Sequence, residues 1–335
     1  MAALTAAARV PLGRRGLTVT RLGFGGAPIG GLFEPVGEEQ AAAALDAAWD
    51  AGVRLVDTAP HYGAGLSERR IGAWLRGRSP AERQEVVLST KVGRLLVEPE
   101  GGPPPDGVDG FYGALPYRRV FDYSRDGVLR SVEQSLARLG VDRVGLLLIH
   151  DPDRHWRQAA GEAYPTLQEL RDQGVTAAIG AGMNQAEMLA RFVRETDLDC
   201  VLLAGRYTLL DQIGLVELLP LCLERGVAVL AGGVFNSGVL ADPREGATYD
   251  YAPARPEVVE RARRLADVCA RHGVPLRAAA LRFPAAHPAV ASVLVGARSG
   301  EEFAADAALF DLPIPVALWQ ELRTAGLLPA AAPLP

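Results

Sequence analysis

The chain is nearly devoid of lysine. Lys91, in the stretch "LSTKVGR" (88–94), is the only one in 335 residues, and every other basic side chain is arginine. On a solvated surface the two are nearly equivalent, so a bias toward arginine removes lysine at little cost; a lone survivor on such a face is one reading. They differ where a compact point charge must fit or where an amine of tunable pKa does chemistry. Cysteine is almost as scarce. Cys200, Cys222 and Cys269 are odd in number, far apart and without ligand spacing, which argues against a disulfide framework or a metal site and predicts buried free thiols. No apolar run is long enough to span a bilayer, and the start "MAALTAAARVPLGRR" lacks the charged-then-apolar order of a secretory signal. The expectation is a cytoplasmic protein with no membrane partner. A net charge of -5, with acids and arginines interspersed, argues against a nucleic-acid groove. A small molecule is the expected partner, and the chain a monomer or small homo-oligomer.

What is present suits a large core: 49% hydrophobic and 22% charged residues leave room for disorder only at short termini. Eight short apolar runs recur, each ending in small or polar residues and most followed by a segment of helical period: "RLGFGG" from 21, "RLVDTA" from 54, "VVLSTK" from 86, "GLLLIH" from 145, "AAIGAGM" from 177, "VLLAG" from 201, "AVLAGG" from 228 and "SVLVGA" from 292. Continuous apolar runs are what strands buried on both faces require. Eight alternations predict an α/β chain folded as one closed (β/α)8 TIM barrel over about 20–325, the chain 1–335 forming a single domain. An open doubly wound sheet is the rival, but "GFGGAPIGG" does not have the Gly-x-Gly-x-x-Gly spacing that fold normally carries. Before the barrel, "RVPLGRRGLTVT" reads as an N-terminal β-hairpin closing the barrel floor. The long connections 93–123 and 234–256 follow strands and so rise from the face where barrels carry their sites. Five aromatics in the first (Phe111, Tyr112, Tyr117, Phe121 and Tyr123) favour lids, because aromatic surface is unfavourable in water.

The C-terminal ends of the strands then converge on one pocket, offering Asp57, Tyr62, Lys91, His150 and Asn184. A charged lysine at the end of a buried strand requires a paired carboxylate, and Asp57 is one strand away. Beside Lys91 the Tyr62 hydroxyl is expected to ionise more readily, making it a proton shuttle, while His150 orients the same substrate oxygen. A site that moves one proton on an oxygen, without a nucleophile or metal cluster, suits carbonyl and alcohol interconversion. The missing hydride implies a nicotinamide cofactor.

In the motifs "DTAPHYG", "STK", "LIHDP", "IGAGMN" and "VGARSGEEFAAD", from about 20 to about 325, the chain resembles the aldo-keto reductases. The resemblance implies a catalytic tetrad of Asp57, Tyr62, Lys91 and His150, with Tyr62 as general acid/base. It implies nicotinamide held near Asn184, a pyrophosphate covered by "GGVFNSGVL" (Gly232, Gly233, Phe235, Asn236, Ser237 and Gly238), and an adenosine end gripped by "GARSGEEFAAD" from Gly296. Gly25 and Gly26 are further cofactor candidates. The segments "HDPDRHW", "AGMNQAEMLARFVRETDLDCVLLAGRYTLLDQ" and "YDYAPA" resemble the branch containing L-fucose and D-threo-aldose 1-dehydrogenases and pyridoxal 4-dehydrogenases. Three positions depart from the family pattern: Met183, Ala204 and Gly232 replace a Ser, a Gln and a stacking Tyr, leaving Met183 or Phe235 to supply apolar contact. Glu302, where an Arg or Lys often meets the 2′-phosphate of NADP, and the nearby Asp306 favour NAD; Arg298 argues for NADP.

The branch implies oxidation of the C1 hemiacetal hydroxyl of an aldose such as L-fucose, D-arabinose or L-galactose to the lactone. His61, Tyr123, Asp151, Trp156 and Arg157 are the candidate substrate contacts. Oxidation of pyridoxal and a broad aldehyde or ketone reductase are alternatives within the same chemistry. A cofactor-binding regulatory subunit is the alternative of another class, opposed by the intact tetrad.

Overall fold

The computed structural model describes residues 4–335. Eight parallel strands close into a barrel: β1 (Leu22–Gly25), β2 (Leu55–Asp57), β3 (Val87–Val92), β4 (Val144–His150), β5 (Thr176–Met183), β6 (Cys200–Ala204), β7 (Ala228–Gly232) and β8 (Val290–Val295). β8 pairs back onto β1, with Val293 opposite Leu22, so no sheet edge remains. Each apolar run read from the sequence overlaps one of these strands, and the open sheet is excluded.

Alternation along the strands sorts the core. Leu55, Leu146, Leu148, Cys200, Leu202 and Leu230 point into the barrel, while Val56, Leu147, Val201 and Val229 pack outward under the helices. The same alternation carries the inward face of three neighbouring strands up to a polar rim: Leu55 to Asp57, Val87 through Ser89 to Lys91, and Leu146 through Leu148 to His150. Ser124 caps helix Arg125–Leu139 by accepting from Gly127 N, and Gly140 at φ 69 ends it.

The hairpin, Arg9–Pro11 paired with Thr18–Thr20, closes the opposite end. Leu12 and Val19 are buried with the inward layer of Leu55, Leu146 and Leu202, so the hairpin supplies the floor that strands alone would leave open. Gly13 lies against β6's entrance, where a Cβ would come 2.4 Å from Asp199 O. Asp199 ties the floor together: its carboxylate accepts from Ile179 N (2.9 Å), Arg15 Nε (2.9 Å) and Arg171 Nη1 (2.8 Å).

The two long connections are structured. Residues 93–123 contain a second hairpin, Arg94–Val97 against Arg118–Phe121, and 234–256 contain a short pairing of Thr248–Tyr249 with Ala252–Pro253. The aromatic argument for a lid holds for two of its five residues. Phe111 and Tyr123 are buried, Tyr117 is half-buried, and Tyr112 and Phe121 are exposed. Among the described residues no helix is long and apolar enough to cross a membrane, no group of acidic, His or Cys side chains could hold a metal ion, and the three cysteines are buried and free.

Removing the Asp199 carboxylate leaves the buried Arg171 guanidinium without its main partner. Asp199→Ala should lower the unfolding free energy by about 3 kcal/mol, read from denaturant titration; a loss under about 1 kcal/mol would show that the floor does not depend on it.

Candidate functional site

At the C-terminal end of the barrel the Lys91 ammonium, 1% exposed, has three donors and meets three acceptors: Asp57 Oδ2 at 2.7 Å, Thr58 O at 2.9 Å and the Tyr62 hydroxyl at 3.0 Å. Ser89 Oγ donates to the other Asp57 oxygen at 2.7 Å. Burial by itself would push the lysine down, but Asp57 and Tyr62 outweigh it and the ammonium is held above its ordinary range. A guanidinium has no room to satisfy five donors in that space.

Tyr62 sits on the tight turn after β2. Gly63, at φ +63, lets this turn approach the loop after β1, where a Cβ would fall 2.3 Å from Gly30 O. Phe111 from the first long connection stacks on the Tyr62 ring at 6.0 Å, and the His150 ring meets it edge-on at 5.9 Å. The expectation that Lys91 leaves Tyr62 easier to ionise is corrected. Burial raises the phenol most; Lys91 pulls it down without offsetting this, since its charge is already matched by Asp57, and the hydroxyl is pushed up to about 12. At neutral pH Tyr62 is a protonated acid. His61 is lowered to about 2 by burial and by Arg94, Arg119 and Lys91, and His150 is lowered well below its usual range by burial and then Lys91, so both imidazoles are neutral.

Two cavities meet at this point. A crevice of about 600 Å³ is walled by Gly25, Gly26, Gly232, Gly233, Phe235, Asn236, Ser237, Gly238, Gly296, Arg298 and Glu302; a pocket of about 540 Å³ by His61, Lys91, Arg94, Phe111, His150, Asp151 and Met183. Tyr62 and Asn184 line both, as do Phe33 and Tyr251 from the rims.

The crevice fits an elongated polar cofactor. Its glycine-rich wall brings bare backbone to the surface, and Asn236 is buried with Nδ2 donating to Gly205 O (3.1 Å) while Oδ1 has no partner in the protein. Arg206 grips Asp250 by two parallel bonds of 2.8 and 2.9 Å, holding the loop after β7 over the crevice. At the other end Ser299 caps helix Gly300–Asp311, and Glu302 Oε2 accepts from Arg298 N at 2.8 Å. The Arg298 guanidinium meets Glu34 Oε1 at 2.5 Å.

Four of the sequence candidates lie elsewhere. Asp306 lines neither cavity: it is buried against Arg277 at 2.6 Å, and burial raises its carboxyl to about 6. Tyr123 is buried and donates to the carbonyls of His150 (2.6 Å) and Asp151 (2.9 Å), so it holds the backbone of the site rather than facing the pocket. Trp156 packs on Phe192 at 4.6 Å under Arg191, and Arg157 is exposed on the adjoining helical turn. Sequence reasoning missed Arg94, Phe33 and Tyr251. Arg94 was the most accessible, three residues past Lys91 in the same stretch.

The neutral histidines fix a sign for acid stability. Below about 6.5 the unfolded chain binds protons that the folded His61 and His150 refuse, so stability falls as pH drops. The wild-type Tm should fall more between about pH 7.5 and about pH 5 than that of His61→Gln; equal slopes in thermal melts would contradict the burial of a neutral imidazole.

The model of the aldo/keto reductase family matches residues 21–325. The chain is 44% identical to pyridoxal 4-dehydrogenase of Microbacterium luteolum, over 97% of this chain and 99% of that one. It is also 44% identical to D-threo-aldose 1-dehydrogenase of a Pseudomonas species, over 94% and 96%. In fold it is similar to the holo form of the aldo-keto reductase AKR11C1 from Bacillus halodurans, with a TM-score of 0.73, 24% identity and coverage of 94% and 95%.

Proposed function

Because the chain belongs to the aldo/keto reductase family and is thus an NAD(P)-dependent oxidoreductase, we propose that it oxidises the C1 hemiacetal hydroxyl of an aldose to the lactone. The observation that carries this reading is the shared wall at Tyr62. One phenol, bonded to the buried ammonium, borders both the crevice suited to a cofactor and the pocket suited to a small polar molecule. The crevice residues, with Asn184, would hold a nicotinamide, which would supply the hydride acceptor for oxidation or the donor for reduction.

The protein's own part is to hold and move one proton. His150, neutral, orients the substrate oxygen toward the Tyr62 hydroxyl, and its unpartnered buried Nδ1 marks unused hydrogen-bonding capacity in that ring. Lys91 stays charged throughout, anchored by Asp57, and stabilises the phenolate whenever Tyr62 gives its proton up. In reduction Tyr62 donates directly, since it is protonated at neutral pH. In oxidation it must first lose its proton, so oxidation speeds up as pH rises.

The same proton chemistry serves pyridoxal, and the 44% identity to a pyridoxal 4-dehydrogenase supports that second reading. NAD is the proposed cofactor. Arg298, the cation that would meet a 2′-phosphate, is already paired with Glu34 and lies 3.5 Å from Glu302 Oε2. A monomer or small homo-oligomer is expected, and the chain is read as one barrel domain.

Reduced-nicotinamide absorbance with NAD and NADP against L-fucose, L-galactose, D-arabinose and pyridoxal tests the reading; turnover of pyridoxal with none of the sugars would reverse the order. Tyr62→Phe should cut kcat between about a hundred- and ten-thousand-fold, and Lys91→Arg at least about tenfold. Wild-type oxidation should rise across the alkaline range while reduction does not; unchanged turnover in Tyr62→Phe would remove the tyrosine from the mechanism. Glu302→Arg should shift the ratio of kcat/KM for NADP over NAD upward by about tenfold; a constant ratio would contradict the cofactor assignment.

A further inference from the structure

The pocket over Tyr62 carries a second ion pair that the proton chemistry does not use. Gly93, at φ +101, turns the chain out of β3, and a Cβ there would fall 2.1 Å from the Tyr123 ring. The turn lays the Arg94 guanidinium in the pocket wall, 2.5 Å from Asp151 Oδ2 and 3.3 Å from His61 Nδ1, with its Nε buried and unpartnered. Asp151 is held at a left-handed φ of 45 by its N–H on Gly182 O (3.0 Å) and the Tyr123 hydroxyl on its carbonyl. A non-glycine residue keeps that conformation only where its surroundings impose it. Asp151 Oδ2 is also 3.5 Å from His150 Nε2, so the pair abuts the imidazole beside Tyr62.

Charge in this wall is balanced. Arg94 is matched by Asp151, Arg119 by Asp109 at 3.1 Å and Lys91 by Asp57. A carboxylate or phosphate brought beside the reacting carbon finds no free cation and meets the Asp151 carboxylate. A pair of neighbouring hydroxyls can donate to that carboxylate and accept from the guanidinium at once, which neither charged nor apolar groups can do. We propose that Arg94 and Asp151 form a specificity-determining donor–acceptor pair that selects uncharged substrates with a hydroxyl on the carbon next to the reacting one, and rejects anions there. The proposal rests on the reading that Tyr62 works on a hemiacetal hydroxyl or aldehyde.

The test compares kcat/KM for D-arabinose and 2-deoxy-D-ribose, the same sugar without its 2-hydroxyl, in wild type, Arg94→Met and Asp151→Asn. Wild type should prefer D-arabinose by about 10- to 100-fold, and the preference should fall toward unity in both variants. In the reductive direction Asp151→Asn, which leaves Arg94 unpaired, should raise the ratio for glyoxylate over glycolaldehyde, and Arg94→Met should not. A 2-hydroxyl preference unchanged in both variants overturns the pair's role in hydroxyl selection, and a glyoxylate ratio that does not rise in Asp151→Asn overturns its rejection of anions. Thermal melting checks each variant, and Arg94→Gln substitutes for any that does not fold. If wild type oxidises neither sugar, the reaction assignment fails. Calorimetric titration of both sugars into enzyme saturated with oxidised cofactor then decides the proposal separately: a wild-type preference lost in the variants supports it, and equal affinities overturn it.

Discussion

One buried ion pair sets the terms for the rest of the active end. Taking an ammonium and a carboxylate out of water is unfavourable by several kcal/mol per ion, and only complete hydrogen bonding offsets it. Lys91 achieves this with three acceptors, Asp57 with donors from both Lys91 and Ser89. Each partner imposes a geometry. Ser89 must lie opposite Asp57 in the β2–β3 register, and Tyr62 must fold back from the turn after β2 to meet Lys91 on the neighbouring β3. The turn can do so because Gly30 and Gly63 let two loops touch backbone to backbone.

Conformational strain is distributed in the same sense. All eight described non-glycine residues with positive φ (Phe33, Ala64, Asp109, Asp151, Asn236, Ser237, Asp250 and Tyr251) fall in connections that follow barrel strands, on the face that carries both cavities. Turns elsewhere use glycine for such angles, as at Gly13, Gly52, Gly140 and Gly174. The floor is built for stability, with a plugging hairpin and the Asp199 network. The opposite face holds side chains in conformations that only surrounding contacts sustain.

The barrel was legible in the sequence because both its signals are local. Buried strands announce themselves as short apolar runs, and their ends as a change to small or polar residues. The convergence of Asp57, Lys91 and His150 is legible because each stands at the C-terminal end of an apolar run. Position along a connection is not local, and there the sequence is less informative. Tyr123, Trp156 and Arg157 lie on the correct face, yet a hairpin and a helical turn of unknown pitch decide which way each points. Asp306 sits one helical turn past Glu302, about 6 Å further along the axis, and that step carries it beyond the crevice wall to where it packs on Arg277. The ionisation of Tyr62 is not legible for a different reason: a neighbouring charge can be seen in a sequence, whereas the desolvation that outweighs it depends on the whole fold.

The scarcity of lysine has a chemical consequence of its own. Free aldehydes, open-chain sugars among them, condense with neutral amines to form Schiff bases, and exposed lysines are where such adducts accumulate on proteins. This chain carries a single ε-amine, 1% exposed and held protonated between a carboxylate and a phenol. Its 34 guanidinium groups stay charged at any physiological pH. The chain thus presents no accessible side-chain amine with which such aldehydes can condense.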